Sequence, residues 1–341
     1  MRRFCVLFLT VLCASYCTWE TVETSTIEQH WEGSSQQGTK LQAIDLFGSV
    51  AGQTMYGFEF GSATLNGAAL NNLRLEKGEL VAEQNQVTLR GSGLDEAHVF
   101  AEVKNYSANP VTTTIVEYAI TDVVAESGYD PTNTHNTWLY SISQNNNGTY
   151  QPACPLDGDG RRAAIPITGA WDKTGNRIED SSLFTFGCTT GVIAKCYRWG
   201  YRPWLAEVLT GLPNMAAAHW TCTRMARADY CGNGVSKTHD GTWVNSWDNL
   251  PSPGPIKTQG STPLGMVFEA GWNTSGAVCL SHARWLIGGP LILVGCPDKL
   301  IAPGVGVLGA TVCDTVQDVL GLNSGATIFN ESNLNANFND L

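Results

Sequence analysis

The first regular pattern of apolar positions begins after residue 40 and repeats every five residues. Large apolar side chains stand among small and polar ones at Val50, Met55, Phe60, Leu65, Leu70, Leu75 and Leu80. Neither the 3.6-residue period of a helix nor the two-residue period of a strand gives a step of five. The step predicts a short β-solenoid over residues 38–82, with one inward side chain on each side of a square coil. A few short strands joined by Gly and Asn turns are the alternative.

The pattern then becomes that of ordinary strands. Residues 98–103 alternate between apolar and polar side chains, and residues 112–124 are rich in β-branched side chains. Residues 138–143 form a third stretch of this kind, followed by a loop that contains Asn and Gly. Short runs rich in β-branched and aromatic residues are typical of strands. The sequence therefore predicts an antiparallel sheet in this part of the chain.

A helical unit is predicted between residues 184 and 231. Two short helices cover residues 190–198 and 203–209, with a break near Gly200. Asn214 is a good N-cap for a third helix over residues 215–230, and glycines follow its end. Cys222 and Cys231 would then lie on opposite faces of that helix, about 13 Å apart along its axis. They cannot form a disulfide with each other, so we expect bridges between segments.

The first 17 residues have the features of a secretory signal peptide. Met1-Arg-Arg is a short basic region, and the apolar stretch over residues 4–14 is too short to span a bilayer. A lipid anchor on Cys17 is the less favoured alternative to plain cleavage, because Tyr16 stands where such processing prefers a small residue. We expect a secreted or surface-exposed protein without a membrane span, in which residues 18–37 form a flexible arm.

Eight of the eleven cysteines lie outside this signal peptide, and an even set in an exported chain predicts a disulfide framework. No pair has the C-x2-C spacing of a zinc site and the histidines are scattered, so neither a metal nor a cofactor is expected. Cys296 and Cys313 bracket an apolar segment and are expected to pair with each other. The eight residues are Cys154, Cys188, Cys196, Cys222, Cys231, Cys279, Cys296 and Cys313.

Charge and composition restrict the partners. The net charge is −11 and only 15% of the residues are charged, while Gly is abundant. No cluster of Lys and Arg is present to neutralise phosphates, so nucleic acid is excluded as a partner. Low charge and many turn-forming residues favour a strand-rich fold over a helical bundle. The last residues, 319–341, are expected to form a loose tail rich in Asn.

The strongest catalytic hypothesis concerns the third helix. His219, Cys222 and Asp229 fall on one face, and a thiol beside an imidazole and a carboxylate could act as a nucleophile. We prefer a structural role, with Cys222 oxidised, His219 packed and Asp229 paired with a nearby Arg, because a catalytic thiol would leave an odd cysteine. The alternative function is a secreted hydrolase with acid and base groups at Asp229, His239, Asp240 and His282.

An aromatic and guanidinium patch supports a binding hypothesis. It comprises Trp199, Tyr201, Arg202 and Trp204, a combination found on carbohydrate- and peptide-binding surfaces. Core packing beside a disulfide is the preferred interpretation. The ligand would be an extracellular or surface molecule that the sequence does not identify.

Several spaced motifs resemble the ADYC-domain family. They read FTFGC, AKCYRWGYRPW, CTRMARADYCGNG and FEAGW, and the tetrapeptide Ala228–Cys231 carries the family's name. The resemblance implies an exported bacterial protein, most often from myxobacteria, and no particular activity; residues 38–82 resemble pentapeptide repeats. The expected architecture is α+β and mainly β, with an ADYC-like domain over residues 83–318. We expect a disulfide-stabilised structural or binding module, and we favour a protein without enzymatic activity over an enzyme.

Overall fold

The computed structural model describes residues 55–56, 58–105, 110, 112–126, 137–172, 174–179, 183–205, 214–238, 242–250, 255–284, 313–322 and 325–333. Every described residue lies in one compact unit, Trp31–Leu341. The predicted signal peptide, the predicted arm, Cys296, His239 and Asp240 lie outside the described residues.

The structure is mainly β, as predicted, and its strands and helices have the following bounds. The strands are β1 (Met55–Tyr56), β2 (Phe58–Leu65), β3 (Ala68–Glu76), β4 (Glu79–Gln84), β5 (Val87–Arg90), β6 (His98–Asn105), β7 (Thr112–Ala125), β8 (Trp138–Asn146), β9 (Thr149–Pro152), β10 (Ala163–Thr168), β11 (Ala170–Asp172), β12 (Arg177–Ile178), β13 (Leu183–Cys188), β14 (Val244–Asp248), β15 (Met266–Asn273), β16 (Gly276–Leu280) and β17 (Ile328–Asn333). The helices are α1 (Val192–Arg198), α2 (Met215–Ala226) and α3 (Val316–Gly321), and a 3-10 helix covers Gly91–Leu94.

The largest sheet is antiparallel and curls back on itself. Its order is β13-β10-β8-β7-β6-β2-β3-β4-β5, and β9 pairs with β8. An additional pairing joins β13 to β2 through Leu183 with Glu59 and Phe184 with Phe58, which closes six strands into a ring. The ring encloses a core of apolar side chains, among them Val99, Tyr118, Ile142 and Phe186. The predicted antiparallel sheet is confirmed.

The predicted β-solenoid is wrong, because β2 to β5 form an antiparallel meander. Consecutive strands pair in antiparallel register, and Leu75 lies opposite Leu80. Two-residue turns with positive φ connect these strands, at residues 66–67, 77–78 and 85–86. Such turns match the twist of paired strands and favour Asn and Gly. The step of five arose because Leu75 and Leu80 flank one turn and Leu65 and Leu70 lie on either side of another.

A second antiparallel sheet has the order β14-β17-β15-β16, and α2 packs against it. The short helix α3 lies on the opposite face, where Val319 contacts Gly271 closely enough to exclude a larger residue there. Strand β17 pairs with β14 on one side and β15 on the other, and five of its six residues are buried. The prediction of a loose tail over residues 319–341 is therefore wrong for Ile328–Asn333. A third, small sheet contains β1, β11 and β12.

Three disulfides whose two cysteines both lie among the described residues connect these parts. Cys154–Cys188 joins the loop after β9 to the end of β13, and Cys196–Cys222 joins α1 to α2. Cys279–Cys313 joins β16 to the third residue before α3. Cys222 therefore does not pair with Cys231, as the length of the helix predicted, and Cys231 is disulfide-bonded elsewhere. The predicted pairing of Cys313 with Cys296 is wrong, because Cys279 lies beside Cys313 across the face of the second sheet.

Candidate functional site

Helix α2 leads directly into the ADYC tetrapeptide. The side chain of Asn214 accepts a hydrogen bond from the Ala217 amide at 3.1 Å, which confirms the predicted N-cap. The helix ends at Ala226 rather than at the predicted Tyr230. The reason is local, because Ala228 adopts a φ of +49°, in the left-handed region that ends a helix. Asp229 and Tyr230, which follow, therefore leave the helix and are buried, and Cys231 is partly buried.

The carboxylate of Asp229 is completely used by structural hydrogen bonds. It accepts from the backbone amides of Asn233 at 3.1 Å and Gly234 at 3.0 Å, and it pairs with the Arg224 guanidinium. Both partners of this ion pair are buried, with side-chain exposures of 0% and 1%. A carboxylate held by three donors without access to solvent is poorly suited to general acid or base chemistry.

Arg224 extends this anchorage to two turns of the β-structure. It donates to the backbone oxygens of Thr174 and Thr274 and to the side chain of Asn176. Thr174 lies in the turn between β11 and β12, and Thr274 lies between β15 and β16. One arginine thus joins α2 to two sheets, and the pairing of Asp229 with a nearby arginine is as predicted.

The backbone around the tetrapeptide leaves no room for side chains. Gly232 has a φ of +65°, and a Cβ atom there would lie 2.2 Å from the backbone oxygen of Ser275. Gly276 has a φ of +106°, and its Cβ would lie 2.5 Å from the Tyr230 oxygen. Only glycine fits both the left-handed conformation and the close approach of the two chains.

Tyr230 connects the tetrapeptide to a buried ion pair. Its hydroxyl donates to Glu269 Oε1 at 3.0 Å and accepts from the Arg284 backbone amide at 2.7 Å. Its ring stacks on Trp272, with centroids 5.2 Å apart. Burial, reinforced by the charge of Glu269, raises the pKa of Tyr230 well above its usual value, so the hydroxyl remains protonated.

Glu269 and Arg284 form a fully buried, two-pronged ion pair. Arg284 Nε lies 3.0 Å from Oε2 and Nη2 lies 3.0 Å from Oε1, and Asn330 donates to Oε2 at 2.7 Å. Burial alone would raise the pKa of Glu269, but the charge and hydrogen bonds of Arg284 outweigh it and lower the pKa. Arg284 also donates to the backbone oxygens of Met225 and Ala226 and so caps the C-terminal end of α2.

His219 is buried and neutral. Its Nε2 lies 2.9 Å from the Ile193 backbone oxygen, and its ring makes an edge contact with Trp171. Burial lowers the pKa of His219 to about 3, and the hydrogen bond opposes this only in part. Cys222, one helical turn along, is bonded to Cys196 and has no thiol. The structure therefore brings His219 and Cys222 together but supplies neither a free thiol nor an accessible base.

The other hydrolase candidates do not assemble around Asp229 within the described residues. His282 bonds through Nδ1 to the Phe268 backbone oxygen and through Nε2 to the Ser332 hydroxyl, each at 3.0 Å. Burial lowers the pKa of His282, which therefore holds two strands together as a neutral side chain. The predictions for His239 and Asp240 remain predictions.

The aromatic patch of the sequence is largely interior. Tyr201 and Trp204 are buried, and Trp204 Nε1 donates to the Tyr197 hydroxyl at 2.9 Å. The Arg202 guanidinium lies 5.9 Å from the Trp204 ring centroid. Only Trp199 and Arg202 keep partial exposure. Core packing thus accounts for Tyr201 and Trp204, and the remaining partly exposed surface centres on Trp199.

A polar cluster on the outer face of the large sheet was missed from the sequence. Glu117 accepts from Tyr150 at 2.6 Å and from Asn145 at 2.5 Å, and lies 2.8 Å from His98 Nδ1. Burial raises the pKa of Glu117, but these hydrogen bonds together lower it. The four side chains come from β6, β7, β8 and β9 and connect the strands across their outer face. These four residues are far apart in sequence, and only the register of the strands brings them together, so no sequence motif could have predicted the cluster.

The fold defines a class of protein: a mainly β domain that contains disulfides. The family model described as "ADYC domain" matches residues 91–286, which is more than half of the chain, and the chain belongs to that family. No curated protein and no solved structure matches it. Within the described residues no group of three or more His, Cys, Asp or Glu side chains could hold a metal ion, and no helix there is long and apolar enough to cross a membrane.

Proposed function

We propose that this ADYC-domain chain is an exported structural or binding module that is stabilised by disulfides and carries no catalytic centre in its central segment. One observation carries the proposal: every reactive group of the helix and tetrapeptide is engaged internally. Cys222 is oxidised, Asp229 has three donors and His219 is buried and neutral. An enzyme needs at least one such group free to meet a substrate.

The cysteine chemistry supports a location outside the reducing cytoplasm. Three bridges connect loops and helices of one domain, and such frameworks form and persist in oxidising compartments. The apolar, basic-flanked first 17 residues point the same way.

The decisive experiment is a thiol count with peptide mapping on the full chain recovered from the exporting host. The protein is alkylated without and with prior reduction, and the linked peptides are identified by mass spectrometry. We expect the bridges Cys154–Cys188, Cys196–Cys222 and Cys279–Cys313, and no alkylation of these residues before reduction. An alkylated Cys222 in the folded, exported protein would contradict the proposal and would favour a thiol enzyme.

A paired substitution tests the structural role of the tetrapeptide. Asp229→Asn removes the charge from a buried carboxylate, whereas Asp159→Asn removes it from a side chain that is 57% exposed. We expect a clear fall in the melting temperature for the first variant and almost none for the second. Equal melting temperatures would show that Asp229 is free for another role.

A further inference from the structure

The partly exposed surface at Trp199 contains an unusual lysine. Lys257 lies in the loop that follows β14 and folds back on it, where its backbone pairs with Asp248. The side chain then runs inward, so that Nζ donates to the Ser246 hydroxyl at 3.2 Å. The same Nζ lies 5.2 Å from the centroid of the Trp199 ring, and the Nζ of Lys195 lies 6.0 Å from it.

This ammonium has no carboxylate partner among the described residues. Asp248 is the nearby acid, but its oxygens accept from the backbone amides of Leu250, Ile256 and Lys257 and from the Tyr201 hydroxyl. The side chain of Lys257 is therefore held by an aromatic ring and one neutral hydroxyl. Lys257 remains partly exposed.

Burial favours the neutral amine of Lys257. Burial lowers the pKa of Lys257 to about 8, and the Asp248 charge opposes this only in part. Burial also raises the pKa of Asp248 and of Tyr201. At pH 7.5 about a quarter of such an amine is unprotonated, compared with about 0.1% for an ordinary lysine. Desolvation of this kind is one way in which proteins make lysine nucleophilic.

We propose that Lys257 is a carbonyl-reactive lysine, placed between the Trp199 ring and the Ser246 hydroxyl to form a Schiff base with an aldehyde or ketone that carries a flat, apolar group. The Nζ lone pair attacks the carbonyl carbon and the C=O π pair moves to oxygen. A proton passes from nitrogen to that oxygen, and loss of water leaves the imine. The flat group packs on Trp199, and the Ser246 hydroxyl keeps Nζ in place. This activity does not rest on the module function proposed above.

The test uses benzaldehyde with sodium cyanoborohydride on the full, oxidised chain. Reduction traps the imine as a benzylated lysine, which peptide mass spectrometry measures at each position. Lys77, an exposed lysine at a hairpin turn, is the internal reference. At pH 7.5 we expect Lys257 to react at least about tenfold faster than Lys77, with a rate that rises with a midpoint near pH 8.

Variants separate a built site from a merely accessible amine. Trp199→Leu removes the aromatic platform and Ser246→Ala removes the hydroxyl, and each is expected to slow labelling at Lys257 several-fold while Lys77 is unchanged. Lys257→Arg should abolish labelling of that peptide alone. Equal rates at Lys257 and Lys77 in the unsubstituted protein would overturn the proposal, and this comparison does not depend on any variant folding.

Discussion

Replacing Arg284 with methionine should expose how strongly the core depends on one buried ion pair. The substitution removes two charge-assisted hydrogen bonds from Glu269, which is fully buried. It also leaves the backbone oxygens of Met225 and Ala226 without their donor at the end of α2. Removing one partner of a buried pair leaves an uncompensated charge and typically costs about 3–5 kcal/mol.

The pH dependence follows from the sign of each pKa shift. In the unsubstituted protein the pKa of Glu269 is lowered, so its stabilising contribution is present above the unfolded pKa and is lost only in acid. In Arg284→Met the charge and hydrogen bonds that opposed burial most strongly are gone, although Tyr230 and Asn330 still donate to the carboxylate. We expect burial to prevail, so that the pKa of Glu269 is raised and the variant becomes less stable as the pH rises. The deficit relative to the unsubstituted protein should therefore be smaller at pH 5 than at pH 8.

Denaturant unfolding followed by circular dichroism, with the disulfides intact, measures both effects. Arg161→Met is the matched control, because its partner Asp159 is exposed and 3.8 Å away, and we expect a change within about 0.5 kcal/mol. Glu269→Gln combined with Arg284→Met should be less damaging than Arg284→Met alone, since no charge is left buried. A loss below about 1 kcal/mol, or the same loss at pH 5 and pH 8, would refute the reasoning.

Three further outcomes are expected. Replacing both Cys196 and Cys222 with alanine should lower the free energy of unfolding by about 3.5 kcal/mol, because their bridge closes a loop with a sequence separation of 26. Denaturant unfolding measures this change. Gly232→Ala should lower the free energy of unfolding by at least about 2 kcal/mol more than Gly160→Ala does, because Gly160 has a similar positive φ but open space around it. Equal melting temperatures of the two variants would contradict this. The pKa of His219 is lowered from 6.5 to about 3, so this residue stabilises the fold at a pH above its unfolded pKa. Between pH 7 and pH 5 the free energy of unfolding should therefore fall by about 2 kcal/mol. The variant His219→Gln should show a smaller fall when stability is measured against pH.

Local signals predicted much of the fold. The β-branched run of β7 and the N-cap of α2 appeared where the sequence placed them, since both depend on neighbouring residues. The five-residue step led to the wrong fold because it is a spacing along the chain, whereas the hairpin turns determine which apolar residues of neighbouring strands lie opposite each other. The end of α2 was predicted too late, because Ala228 adopts the left-handed conformation and Arg284, which lies in a different segment, donates to the carbonyls at that end.

The candidate site was predictable only in part for the same reason. The pairing of Asp229 with a nearby arginine could be expected, because Arg224 and Asp229 are only five residues apart in sequence. The contacts of Tyr230 with Glu269 and of Lys257 with Trp199 join segments far apart in sequence. No periodicity records such contacts, and they become visible only once the strands are in register.

The position of β17 inside the second sheet has a consequence for the order in which the domain can form. Its neighbours β14 and β15 are made earlier, so each presents an unpaired edge until β17 arrives, and unpaired edges invite association between chains. The Cys279–Cys313 bridge shortens the loop that β17 must close to the stretch between residues 313 and 328, which lowers the entropic cost of its insertion. Oxidation of this pair would therefore speed completion of the sheet. A chain that folds under reducing conditions would expose the unpaired, aggregation-prone edges of β14 and β15 for longer.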